Sequence, residues 1–122
     1  MVFFCPGCWA ETQESDVVCA TCGFNLTNYA RLPYEEKLIL ALNHPIRESC
    51  MMAIRLLGDL KSNRAVATFE AMLETEEDFY LVREIVWSLQ KIGTARSREI
   101  IQRLRYHPSG LVRRVVEESD EL

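Results

Sequence analysis

The chain has 122 residues, of which 48% are hydrophobic and 26% are charged, and its formal net charge is −4. This balance is typical of a folded protein with an apolar core, and it argues against intrinsic disorder outside the ends. No apolar stretch approaches the roughly 18 residues that a membrane-spanning helix needs, and the first residues lack the features of a secretory signal, so we expect a cytoplasmic protein with no membrane partner.

Four of the five cysteines form two C-x-x-C pairs, Cys5 with Cys8 and Cys19 with Cys22, separated by ten residues. A two-residue gap lets one tight turn aim both thiolates at the same ion, and two such turns complete a tetrahedral shell of four sulfurs. We therefore predict one structural Zn²⁺ with no open position for catalysis. The segment is too short for an apolar core, so the metal must supply folding free energy, about 10 to 16 kcal/mol in comparable small sites.

Other uses of these cysteines are less favoured. An iron site with four thiolates needs the same ligands and stays open as an alternative. Disulfides are disfavoured in a reducing cytosol, and a redox C-x-x-C would need a βαβ context that the sequence lacks.

Residues 5–26 resemble the short zinc ribbons with the pattern C-P-x-C-G, about ten residues, then C-x-x-C-G. The resemblance implies a metal module over residues 1–28. Trp9 departs from the pattern because it stands where glycine follows the second cysteine. We expect Trp9 to strain the first knuckle or to change its backbone conformation, and its ring to dock on the helices that follow. Gly23 fits the left-handed position after the second pair.

Apolar residues recur at helical spacing from residue 33 onward, after a linker predicted at residues 28–33. Six short helices are predicted, at residues 33–42, 45–57, 62–73, 79–92, 94–105 and from 111 onward. Gly58 and Gly93 are expected to end the second and fourth helices, and Thr94 to cap the fifth. The predicted buried residues include Ile46 and Leu111. Helices this short need packing on their neighbours, and the short turns favour antiparallel hairpins.

A repeat is visible in these helices, because Ile46-Arg47, Val82-Arg83 and Val112-Arg113 each open the second helix of a predicted pair. The pattern resembles the HEAT-like repeats typified by phycobilin lyases, over residues 33–119. The resemblance implies an all-α fold, a right-handed solenoid of about three helical hairpins that binds other macromolecules. It also implies that the three arginines are internal rungs bonded to acidic or carbonyl groups. A bilin lyase activity is not expected, since no second feature suggests chromophore chemistry.

The fourth predicted helix carries Tyr80, Glu84, Trp87 and Lys91 opposite its predicted buried stripe. Aromatic, Met and Arg side chains are enriched at interface hot spots. We therefore predict a scaffold that binds a protein partner through residues of the second and fourth helices, namely Met51, Arg55, Tyr80, Trp87 and Lys91. The alternative is that a neighbouring helix covers Trp87.

Nucleic-acid binding is the second prediction, because basic residues are concentrated in residues 91–114 while acidic ones are concentrated in residues 70–84. The zinc ribbon would assist, and the arginines that would bind are Arg96, Arg98, Arg103, Arg105, Arg113 and Arg114. The overall acidity argues against this function, since binding to the phosphate backbone depends on clustered cations.

The remaining expectations concern the ends of the helical stack, three single residues and the catalytic potential of the chain. The zinc module, with Trp9, Phe24 and Leu26, is predicted to cover the apolar first helix, because solenoid ends need caps. The sixth helix has no predicted cover, so dimerisation through the C-terminal end is a further hypothesis.

His44 and His107 precede prolines in matching turns and are predicted to be turn residues. Cys50 is predicted to be an inert core thiol. No catalytic set stands out, so we expect no enzyme activity.

Overall fold

The computed structural model describes the backbone of residues 3–120 and the side chains of residues 3–118. Two short strands and seven α-helices are formed within this part of the chain, in agreement with the predicted solenoid of helical hairpins. The chain divides into two compact units, Met1–Ala53 and Ile54–Leu122. No helix of the described residues is both long and apolar enough to cross a bilayer.

The N-terminal unit begins with two small β-hairpin turns. Strand β1 (Phe3–Phe4) pairs antiparallel with β2 (Glu11–Thr12), so the first C-x-x-C lies in the connecting loop. An isolated bridge between Val18 and Asn25 closes the second turn around the other pair. A single-turn helix, α1 (Leu26–Tyr29), follows and is capped by the Asn25 side chain. Its last two residues, Asn28 and Tyr29, fall within the linker predicted at residues 28–33.

Helix α2 (Tyr34–Ala41) agrees with the first predicted helix and has Leu38 as its buried residue. Helix α3 (Arg47–Asp59) begins two residues later than predicted. The reason lies in the preceding turn, where His44 Nδ1 accepts a hydrogen bond from the Ile46 N–H (3.0 Å). Ile46 is 55% exposed, so its predicted burial was wrong.

The C-terminal unit contains the end of α3 and four further helices: α4 (Val66–Thr75), α5 (Phe79–Ile92), α6 (Ala95–Arg103) and α7 (Gly110–Asp120). Helix α5 packs against α4, α6 and α7, and it supplies much of the core, including Ile85, Val86 and Leu89. Its bounds match the prediction, with Asp78 capping the start and Gly93 left-handed at the end (φ 66°). Leu111 is 55% exposed, which contradicts its predicted burial, because α7 presents Val112 and Val115 to the core.

Gly58 does not end α3, contrary to the sequence prediction. The helix continues through it to Asp59, and the left-handed residue is Lys61 (φ 53°). A Cβ atom added at Gly58 would lie 2.6 Å from Ser88 Oγ and 2.9 Å from Ser88 Cα. Gly58 is therefore needed for the close approach of α3 and α5. Ser88 Oγ donates a hydrogen bond to the Ile54 carbonyl (2.8 Å) at this crossing.

We expect Gly58→Ala to lower the free energy of unfolding by about 1 to 3 kcal/mol, the usual cost of overpacking a close contact. Gly110→Ala is the matched control, because its Cβ would meet only Arg113 Nη2, at an ordinary contact distance of 3.5 Å. That change should be neutral or stabilise by up to about 1 kcal/mol through helix propensity. Urea denaturation of the two variants tests the difference, and equal stabilities would contradict the close approach.

Candidate functional site

The four paired cysteines converge in the N-terminal unit. Their Sγ atoms all lie within 4.8 Å of one another, with 3.6 Å between Cys5 and Cys22 and 3.7 Å between Cys8 and Cys19. A tetrahedron of sulfurs with metal–sulfur bonds of about 2.3 Å has edges of about 3.8 Å, whereas a disulfide is about 2.05 Å long. The sulfurs are thus spaced as ligands of one metal ion, and all four thiols are free of disulfides. The predicted ligand set is brought together and can hold a metal.

Backbone donors make this cluster suited to thiolates. The Gly7 N–H donates to Cys5 Sγ (3.3 Å). A hydrogen bond from the Cys22 N–H lowers the pKa of the Cys19 thiol to about 6. The Phe24 N–H also favours the Cys22 thiolate, but burial and the neighbouring thiols raise the pKa of Cys22 to about 12. Four adjacent thiolates repel one another, so their joint deprotonation requires a cation among them.

Trp9 adopts a backbone conformation that favours glycine. Its φ is 64°, in the left-handed region, and its N–H donates to the Cys5 carbonyl (2.5 Å). This conformation costs a non-glycine residue about 1 kcal/mol or more. The Trp9 ring lies 4.3 Å from the His44 ring, centroid to centroid. The expected strain is therefore present, and the ring docks on the turn after α2. Gly23 is left-handed as predicted (φ 80°).

Two other sequence predictions for single residues agree with the structure. His107 Nδ1 accepts a hydrogen bond from the Ser109 N–H (3.0 Å), the same arrangement as His44 with Ile46, so both histidines are turn residues. The buried Cys50 thiol donates to the Leu42 carbonyl (3.3 Å), which identifies it as a core thiol.

An aromatic and basic surface lies in the C-terminal unit. The Arg83 guanidinium is 5.1 Å from the Tyr80 ring centroid and 4.7 Å from that of Trp87, so it stacks between the two rings. Tyr80 is 51% exposed and Trp87 is half-buried. Arg83 was expected to bond acidic or carbonyl groups, and the structure instead places it over aromatic rings.

We name this surface the α3–α5 face, and it consists of Arg55, Tyr80, Arg83, Trp87 and Lys91. Of the predicted partner-binding residues, Met51 belongs to the N-terminal unit and is half-buried.

Glu84 was predicted to lie opposite the buried stripe of the fourth predicted helix. This prediction was wrong, because Glu84 is only 2% exposed. Its Oε1 lies 2.6 Å from Arg55 Nη2, and this hydrogen bond raises the pKa of Arg55 above its usual range. A single buried stripe was assumed for α5, whereas α5 is packed on several sides, so the buried arc includes Glu84 and Ser88. Lys91 Nζ pairs with the exposed Asp59 carboxylate (2.8 Å). A pocket of about 310 Å³ lies between these groups and the Trp87 ring.

Most of the arginines predicted to bind nucleic acid have partners within the protein. Arg96 and Arg103 both bond Glu70 and hold the pKa of that carboxyl below its usual range. Arg105 Nε donates to Gln102. The structure brings Arg96, Arg98 and Arg103 together on α6, along an open groove of about 610 Å³.

Arg113 on α7 donates hydrogen bonds to the turn that precedes the helix. Its Nη1 donates to the carbonyls of His107 (2.6 Å) and Pro108 (3.1 Å), as expected of an internal rung. Arg114, the last of the predicted nucleic-acid-binding arginines, is exposed on the same helix.

Comparisons with known proteins bear on the helical part of the chain. The family model for HEAT repeats matches residues 35–119, which is well over half of the sequence. No curated protein and no solved structure matches the chain. The match covers α2 to α7 nearly completely. The chain therefore belongs to the HEAT-repeat family.

Proposed function

We propose that this chain is a non-enzymatic scaffold that binds a protein partner on its α3–α5 face and carries one structural zinc ion at its four paired cysteines. The observation that carries the proposal is the stacking of Arg83 between Tyr80 and Trp87 on an accessible helix face. Trp, Tyr and Arg are the residues most enriched at binding hot spots. Interaction scaffolds are also the usual role of HEAT repeats.

The stacked arrangement supports binding because it fixes side chains before a partner arrives. The Arg83 guanidinium restricts the rotation of both rings, so less side-chain entropy is lost on association. The half-buried Trp87 adds apolar area at the edge of a pocket that is also lined by Arg55, Glu84, Ser88 and Lys91. An anchor of this kind, a large ring beside a pocket with a charged rim, is the typical centre of a protein interface.

Zinc is proposed as the ion because four thiolates in a closed tetrahedral shell are a typical structural zinc site. The strands around the site are two residues long, and such strands cannot hold two hairpin turns together by themselves. The metal would therefore act as the core of this part of the N-terminal unit. A reducing compartment such as the cytoplasm would keep the thiols available.

Nucleic-acid binding through α6 and α7 is the second candidate. The groove beside Arg96, Arg98 and Arg103 favours it. The net charge of −4 counts against it, because binding to the phosphate backbone depends on clustered cations. A strongly salt-dependent shift of labelled RNA or DNA, lost in an Arg98→Ala, Arg105→Ala double variant, would favour this candidate.

A second copy of the chain is a further proposed partner. Tyr106 and Leu111 are exposed near the start of α7, and both are apolar enough to prefer burial. Dimerisation through this end predicts a molar mass that rises with concentration in light scattering. A monomer mass that does not change with concentration would contradict it.

Affinity capture tests the scaffold proposal. The full chain, Trp87→Ala and Tyr80→Ser are each used to capture proteins from a nuclease-treated extract of the source organism. Tyr34→Ala is the matched control, because Tyr34 is an exposed aromatic residue of the N-terminal unit. We expect a partner that binds the wild type and the control and is lost from both α5 variants, whose melting temperatures are measured in parallel. Equal capture by all four proteins would contradict the proposed surface.

A further inference from the structure

We infer that the α3–α5 face selects an acidic peptide segment, with carboxylates bonded near Arg55 and Lys91 and an apolar side chain against the Trp87 ring. This inference rests on the proposed function, and it adds the chemistry of the partner. Three observations carry it: an excess of hydrogen-bond donors on the face, a pocket sized for side chains, and the uneven charge along α5.

The donors of this face outnumber its acceptors. Arginine has five N–H donors and lysine has three. Within the described residues, Arg55 donates to Glu84 only and Lys91 to Asp59 only, so most N–H groups of these two exposed side chains face solvent. Carboxylates accept hydrogen bonds without donating any, so they complement this donor excess.

Burial of Glu84 makes the imbalance larger. Glu84 lines the pocket with a side chain that is only 3% exposed, whereas the Arg55 side chain is 53% exposed. A partner therefore meets the cation of this ion pair and not its anion. The planar guanidinium of Arg55 has free N–H groups for a second carboxylate, a geometry in which arginine binds strongly.

The pocket has the dimensions and lining for a peptide side chain. Its volume of about 310 Å³ is at the lower limit of ligand pockets, roughly 300 Å³. The Trp87 ring forms one wall, and the aliphatic stems of Arg55 and Lys91 contribute others. An apolar side chain can rest on the ring while a neighbouring carboxylate of the same segment reaches the cations at the rim.

The charge along α5 favours a peptide over nucleic acid. Four acidic residues within positions 74–78 immediately precede the helix, while Lys91 lies in its last turn. Glu74 and Glu77 are exposed, so a continuous phosphate backbone that follows the helix would meet like charge at the Tyr80 end. A peptide places its carboxylates at the basic end alone, and it avoids this repulsion.

A peptide selection tests the inference directly. The zinc-loaded full chain is immobilised and used to select from a displayed library of random peptides. We expect enrichment of Asp and Glu within a few residues of an aromatic or aliphatic residue. A fluorescein-labelled peptide of the selected sequence should bind about tenfold more weakly to Lys91→Glu, and more weakly when ionic strength rises from about 0.1 to 1 M. Arg98→Glu, a charge reversal on the exposed side of α6, is the matched control and should bind as the wild type does.

Several results would overturn the inference: selection of basic or uncharged peptides, no selection at all, or equal affinity of Lys91→Glu and the wild type. Lys91-dependent binding of a labelled single-stranded oligothymidylate would assign the face to nucleic acid instead. If the captured natural partner depends on Trp87 while the selected peptides are not acidic, only this inference fails. If no partner depends on Trp87, the proposed scaffold function fails with it.

Discussion

Purified protein should contain one zinc ion per chain, and Cys19→Ser should reduce this content to well below one. Cys19 is buried, and its sulfur is 3.7 Å from that of Cys8 in the cluster. Replacing one sulfur with a hydroxyl removes a ligand that zinc prefers and opens the closed shell. Because metal binding and folding are coupled in sites of this size, the two hairpin turns should lose their structure with the ion.

Cys50→Ser is the matched control for this loss of metal. Cys50 is also a buried cysteine of the N-terminal unit, but its thiol donates to a carbonyl and lies outside the cluster, and serine can donate in the same way. Elemental analysis should give one zinc for Cys50→Ser and the wild type. Near-ultraviolet circular dichroism in a Trp87→Phe background should report the Trp9 environment and change on chelation. One bound iron in place of zinc, or full zinc in Cys19→Ser, would contradict the proposed site.

Arg55→Met should destabilise the C-terminal unit far more than Lys91→Met. Both side chains are 53% exposed and both pair with a carboxylate, at 2.6 Å and 2.8 Å. Their partners differ, since Glu84 is buried and Asp59 is exposed. Leaving the Glu84 carboxylate buried without its counter-ion costs about 2 to 3 kcal/mol, whereas loss of an exposed pair costs at most about 1 kcal/mol.

A second substitution separates this explanation from simple loss of packing. Adding Glu84→Gln to Arg55→Met removes the uncompensated charge, so it should restore a large part of the lost stability. The same glutamine in the wild type should destabilise only mildly, because Arg55 can be hydrated where it stands. Chemical denaturation of the four proteins gives the coupling. Equal effects of Arg55→Met and Lys91→Met would show that burial of Glu84 is not what makes the first pair important.

Local sequence patterns predicted the elements that local interactions determine. The two C-x-x-C pairs indicated the cysteine cluster, since the geometry of each turn depends on a few adjacent residues. The bounds of α5 were predictable because Asp78 and Gly93 are good capping residues on either side of an apolar stripe. The HEAT repeats were recognisable from recurring dipeptides at the starts of helices.

Two of the errors, those at Gly58 and Glu84, concern contacts between distant parts of the sequence. Gly58 has the sequence context of a helix stop, and only the approach of Ser88, thirty residues away, explains why it lies inside a helix. Glu84 was placed on the solvent side because a periodicity argument cannot include Arg55 as its partner. The stacking of Arg83 on two rings was missed, although the i, i+3 and i, i+4 spacing to Tyr80 and Trp87 was readable in the sequence.

The left-handed Trp9 makes the first metal turn dependent on a residue outside it. A glycine at this position would form the turn at little cost, and the turn could then be moved between proteins as an independent part. With tryptophan, the backbone strain is offset by the contact with the His44 ring, so a transplanted copy would keep the strain and lose the contact. We therefore expect positions 9 and 44 to change together in evolution, with glycine returning at position 9 wherever the ring at position 44 is lost.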